Sequence, residues 1–121
     1  ATLFPEADRI VGVDLSPQMI AVGQRLLQGV VGRDEGEWIE PVTPDPRVEL
    51  RLADIASTGL PGACADLVSM CLVLHELPPE AARDAAAEAF RLLRPGGVLW
   101  CAEMDGSSPG YVELRQNPAL F

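Results

Sequence analysis

The chain has 121 residues, 48% of them hydrophobic and 22% charged, and a net charge of -9; that is enough for one small domain or part of one, since soluble domains run to roughly 100–200 residues. Nucleic acid is a poor partner for so acidic a chain, because phosphate binding relies on clustered basic residues, so small molecules or proteins are the expected partners. The longest apolar run, Leu67 to Leu74, is far short of the ~20 residues that cross a bilayer, so no membrane span is expected.

In chain order, Ile10-Val11-Gly12-Val13 is a short β-branched run ending at Asp14, the pattern of a buried strand that leads into a turn. Ser16 then caps a helix with Pro17 at its first position, where the missing amide costs nothing. Met19, Ile20, Val22, Leu26 and Leu27 follow at helical spacing, and Gly29 is the expected stop. Residues 29–47 are broken by Gly32, Gly36, Pro41, Pro44 and Pro46 and read as a long acidic loop insertion, with Trp38 and Ile39 as its large apolar anchors.

Val48 to Leu52 alternates like an edge strand and ends in Ala53-Asp54. After a turn over Gly59 to Gly62, Asp66 to Leu74 reads as a central strand that needs cover on both faces. Pro78 and Pro79 open a helix running through Ala81, Ala82, Ala85, Ala89, Phe90, Leu92 and Leu93 to a stop at Pro95-Gly96-Gly97. Val98 to Ala102 is a further buried strand, Glu103 and Asp105 follow it, and 106–121 is loop-like. Strands alternating with helices predict an α/β fold with a mostly parallel sheet and right-handed crossovers.

Such sheets bind ligands beyond the carboxyl ends of their strands. Asp14 stands there and can accept two hydrogen bonds from a ribose diol, although an acidic residue in that place serves nicotinamide dinucleotides equally, and a helix-capping turn carboxylate looks the same. Asp54 ends the next strand, where it can accept from an exocyclic amine while Ile55 packs on a purine; a plain loop carboxylate is the alternative. Together the two suggest an adenosine pocket. His75, the sole histidine, falls just past a strand end, where it serves either as a general base or as a packing or capping residue, and no catalytic residue is assigned. Cys64, Cys71 and Cys101 lack CxxC spacing and read as buried free thiols of a reducing, cytoplasmic compartment rather than as a disulfide or metal site.

The ordered series Val11 to Met19, Asp54-Ile55, Asp66-Leu67-Val68 running to His75-Glu76-Leu77, and Leu92-Leu93-Arg94-Pro95-Gly96-Gly97-Val98-Leu99 resembles the motifs of class I S-adenosylmethionine-dependent methyltransferases of the small-molecule type. The resemblance covers about residues 5 to 105. It implies a partial Rossmann-like fold, S-adenosyl-L-methionine as cofactor and methyl transfer to a small molecule. It further implies that Asp14 holds the ribose hydroxyls, Leu15 and Met19 line the adenosine side, Asp54 meets the adenine amino group and Ile55 packs on the ring. The main chain near Cys71 and Leu72 would face the methionine part, and Arg94 to Gly97 would be a structural turn.

The family's first strand and glycine-rich turn are expected about twenty residues before Asp14. The sequence opens on Ala1-Thr2-Leu3-Phe4-Pro5, which resembles the end of the helix after that turn, so a partial domain over 1–121 is expected, without that turn and without the family's last strands. In the family's strand order, 3-2-1-4-5-7-6, the strand before that turn is central, so two half-sheets should remain. Two further functions fit less of the chain: a degenerate methyltransferase-like module used for protein contacts, and a nicotinamide-dependent oxidoreductase, which would need a Tyr-x-x-x-Lys or similar site in a chain without lysine.

Overall fold

A computed structural model describes residues 4–28, 45–109 and 116. The Gly29 stop, most of the loop at 29–47 with Trp38 and Ile39, and nearly all of 110–121 lie outside the described residues. The chain divides into two units, residues 1–59 and 60–121.

In the first unit, β1 (Ile10–Asp14) pairs in parallel with β2 (Val48–Leu52), from Ile10 opposite Val48 to Asp14 opposite Leu52. Between them α1 (Pro17–Leu27) begins as its sequence dictates: Ser16 is the N-cap, its Oγ accepts the Met19 amide at 3.3 Å, and Pro17 takes the first position. Gly23 in mid-helix would cost about 1 kcal/mol relative to alanine in an isolated helix. Here it permits close packing, because a Cβ on it would stand 2.6 Å from Leu50 Cδ1 and one on Gly12 would stand 2.7 Å from Leu50 Cδ2. Leu50 thus fills the space that two glycines leave between α1 and the strands. Arg47 ties the start of β2 to the chain ahead of β1, donating to the carbonyls of Phe4, Pro5 and Ala7 at 3.2, 3.0 and 2.8 Å.

In the second unit, β3 (Ala65–Cys71) pairs in parallel with β4 (Leu93–Ala102), and α2 (Pro79–Leu92) makes the crossover. Ala85, Ala89 and Leu92 form the buried stripe of α2, and Met70 is the buried hydrophobic residue of β3; full burial of a side chain such as Leu92 or Met70 contributes about 1.5–3 kcal/mol. Phe90, placed by its spacing among the apolar positions of this helix, lies one residue off that stripe and is 82% exposed. Glu88 is buried but paired, its carboxylate lying 2.6 and 2.7 Å from the Arg91 guanidinium, which also donates to Leu60 O.

Two boundaries differ from the sequence reading. The strand expected over Asp66 to Leu74 ends at Cys71, because Leu72 turns into the left-handed region at φ 53° and a 3-10 turn, η1, follows at Leu74–Glu76. The helix expected to continue to Pro95 ends at Leu92, and β4 begins at once; Ala65 faces Leu93 and Leu67 faces Val98, so Arg94 to Gly97 bulge out of the ladder. The bulge lets Gly96 adopt φ +84°, a conformation that only glycine takes without strain.

Side chains alternate between faces along each strand. On β3 and β4 one face packs under α2, while Leu67, Val98 and Trp100 remain exposed, so the cover expected on both faces is found on one among the described residues. Among the described residues the strands form two sheets, ordered β1-β2 and β3-β4, as the half-sheet expectation required.

Candidate functional site

In the first unit the chemistry-bearing groups collect at the carboxyl ends of β1 and β2. Asp14 closes β1 opposite Leu52, and Asp54 follows two residues past the end of β2, so neighbouring parallel strands present two carboxylates at the same edge. Each is fixed by a local turn. Asp14 Oδ1 accepts the Ser16 amide at 2.7 Å, and Asp54 Oδ1 accepts the Ala56 amide at 2.8 Å, the side-chain-to-backbone geometry that acidic residues adopt where a strand stops. In both residues the second carboxylate oxygen makes no hydrogen bond among the described residues, which leaves an oriented acceptor on each.

Apolar surface flanks the pair. Leu15 and Met19 are 68% and 63% exposed, while Ile55 is half-buried beside Asp54. Gly12, Val13, Asp14, Met19, Ile20 and Leu50 are among the residues lining an open cavity at this end of α1. Carboxylates with free acceptor oxygens beside exposed aliphatic side chains suit a ligand with hydroxyl or amine donors and an aromatic face.

Cys71 and Leu72 belong to the second unit, at the carboxyl end of β3. Both are exposed, as is Cys101, and Cys64 is only partly buried, so the burial expected of the three thiols is not found; Leu72 is a non-glycine residue held at φ 53°, a strain of about 1–2 kcal/mol. Three successive amides leaving this position are bound. Leu72 N donates to Ala102 O at 2.8 Å, and Val73 N and Leu74 N donate to Glu103 Oε1 at 2.8 and 2.6 Å. The same carboxylate reaches His75, with Oε2 at 2.8 Å from Nδ1. Strained backbone of this kind persists where its surroundings over-determine it.

The electrostatics follow the contacts. The hydrogen bond to Glu103 raises the His75 pKa above its ordinary value, with the charges of Glu103 and Glu76 adding to it against partial burial. Burial opposes ionisation of Glu103, but the His75 ring and the amides of Leu74 and Val73 outweigh it and hold the carboxyl below its ordinary value. Sequence order alone does not connect Glu103 with His75, 28 residues before it. The signal lay in the pairing register: Cys71 faces Ala102, which sets Glu103 beside the residues that follow β3.

Comparison with known proteins places this architecture. Residues 1–101 match the family model of the methyltransferase domain. The chain belongs to the methyltransferase domain family. Its helices and parallel strands are those of a partial Rossmann-like fold of the class I kind. Carboxy-S-adenosyl-L-methionine synthase of Chromohalobacter salexigens is 33% identical over 101 residues, 84% of this chain and 32% of that protein. An uncharacterized 37.1 kDa protein in transposon TN4556 of Streptomyces fradiae is 31% identical over 100 residues, 83% of this chain and 24% of that protein. The chain thus spans about a third or less of the length of the curated relatives it matches. Among its described residues no helix is long and apolar enough to cross a membrane, and no group of three or more His, Cys, Asp or Glu side chains is arranged to hold a metal ion.

Proposed function

We propose that the protein carrying this domain transfers a methyl group from S-adenosyl-L-methionine to a small-molecule acceptor. The observation that supports this reading best is the pair of oriented carboxylates, Asp14 and Asp54, at the ends of adjacent parallel strands, each with one oxygen tied down and the other open. Asp14 binds the ribose hydroxyls through charge-assisted hydrogen bonds. Asp54 accepts from the adenine amino group, Ile55 packs on the ring, and Leu15 and Met19 line the adenosine side. The acceptor oxygens and their apolar flank fit an adenosyl ligand, and the name of the Chromohalobacter relative, which gives a carboxylated S-adenosylmethionine as that protein's product, supports the same ligand class here.

When bound, S-adenosyl-L-methionine supplies an electrophilic methyl group. The residues of the chain contribute binding and orientation, and holding the acceptor in line with that methyl group supplies much of the rate by removing its translational freedom. The acidic surface disfavours a nucleic acid acceptor, and the free cysteines are in keeping with a reducing, cytoplasmic compartment.

The test is calorimetric titration with S-adenosylhomocysteine of the protein expressed from its complete reading frame. Micromolar binding is expected, weakened at least about tenfold in Asp14→Ala, which loses charge-assisted hydrogen bonds worth roughly 1.5–3 kcal/mol each. Absence of binding in the unmodified protein, or unchanged affinity in the variant, refutes the assignment.

A further inference from the structure

The His75 ring is held between two carboxylates. Nδ1 lies 2.8 Å from Glu103 Oε2, and Nε2 lies 3.1 Å from Glu76 Oε1. A neutral imidazole has one donor and one acceptor nitrogen, so it bonds one carboxylate; bonding both takes the imidazolium. The two partners differ in how firmly they are held. Glu103, just after β4, is fixed by the amides of Val73 and Leu74 at 2.8 and 2.6 Å and is 23% exposed, whereas Glu76, the last residue of η1, is 73% exposed. A ring that loses its proton therefore keeps Nδ1–H on Glu103 and releases Glu76. These two are the charged groups that act on the ring. The turn they enclose is strained at one end and lightly bonded at the other. Leu72 sits at φ 53°, and the backbone bonds of η1, from Glu76 N to Val73 O and from Leu77 N to Leu74 O, are both 3.2 Å, the long end of the usual range.

We propose that Glu103, His75 and Glu76 form a proton-operated latch on residues 72–76, closed while the ring is charged and loosened when it gives up its proton, with β3 and β4 paired in both settings. The hydrogen bond to Glu103, then the charges of Glu103 and Glu76, raise the His75 pKa above its ordinary 6.5 against partial burial. A group raised in this way stabilises the closed turn fully below that ordinary value, and the contribution is lost as pH rises through the value it has in the closed turn. The latch therefore loosens on the alkaline side of the ordinary histidine value. Glu103, held below the ordinary glutamate value, stays ionised there. The turn lies past the carboxyl end of β3, the edge at which open parallel sheets carry ligands, so the latch sets how readily that edge of the second unit opens. It does not depend on which ligand the protein binds.

Amide hydrogen exchange, followed by NMR on the protein from its complete reading frame and corrected for the intrinsic pH dependence of exchange, reads such local opening directly. Between about pH 5.5 and about pH 8.5, protection of the Glu76 and Leu77 amides should fall about two- to fivefold, the change in an opening equilibrium that an exposed ion pair is worth. Protection of the β3–β4 ladder should hold over the same range. Glu76→Ala removes the releasable carboxylate, so it should lower protection of the Leu77 amide at about pH 5.5 and flatten its pH dependence, and His75→Gln should abolish that dependence. Protection that does not change with pH overturns the proposal. So does a Glu76→Ala protein that keeps the unmodified profile, or a fall shared equally by the β3–β4 ladder, which is general loosening rather than a latch. Glu76 lies at the surface, so its replacement decides the matter even where His75→Gln fails to fold.

Discussion

At the scale of single residues, acidic side chains do three different jobs in this chain, and their surroundings decide which. Asp14 and Asp54 each spend one oxygen on a local amide and keep the other open. Glu103 spends both, on two amides and an imidazole. Asp45 is used structurally: its oxygens meet the backbone amide and guanidinium of Arg47 at 2.8 to 3.0 Å. The side-chain and then the backbone hydrogen bonds from Arg47 hold the Asp45 pKa down to about 2. A carboxyl depressed in the folded state stabilises it above the ordinary aspartate range, and the contribution disappears as pH falls through the folded value. Asp45→Asn should therefore lose less melting temperature than the unmodified protein between about pH 4 and pH 2, measured by circular dichroism across that interval; parallel curves would show that the Arg47 contact carries no linkage. The positions of Asp14 and Asp54 were legible because each follows directly from where a strand stops. The task of Glu103 was not, since it depends on which residue of β4 lies beside which residue of β3.

At the scale of elements, local signals set starts better than ends. The onset of α1 was readable from Ser16 and Pro17, and that of α2 from Pro78 and Pro79, because caps and prolines act on their immediate neighbours. The ends of β3 and α2 answer to partners distant in sequence. Two residues of β3, Ala65 and Leu67, are matched to Leu93 and Val98 of β4, and the surplus chain leaves the ladder as a bulge around Gly96. A Cβ on Gly96 would meet no atom within 4 Å, yet the residue sits at φ +84°. Gly96→Ala should therefore destabilise the fold by about 1–2 kcal/mol through backbone strain alone, read as a lower urea midpoint with unchanged m-value. An unaltered midpoint would mean that the bulge relaxes to accept an ordinary residue.

At the scale of the whole molecule, the excess of 18 acidic over 9 basic residues acts as general self-repulsion. The exposed ion pairs, Arg9 with Glu49 and Arg94 with Asp66, are each worth little. Screening should relieve repulsion more than it weakens such pairs, so the urea midpoint at pH 7 should rise between about 10 and 150 mM sodium chloride as the Debye length falls from about 30 to 8 Å. A falling midpoint would show that paired charges outweigh the net charge. The sequence by itself determined the alternation of parallel strands and helices, the two carboxylates at strand ends and the membership of the methyltransferase family, since periodicity, caps and motif order are all local. Only the tertiary structure decided that β3 stops at Cys71, that Phe90 faces solvent and that Glu103 holds His75. Each of those depends on register and packing between segments far apart in the chain, which no local pattern encodes.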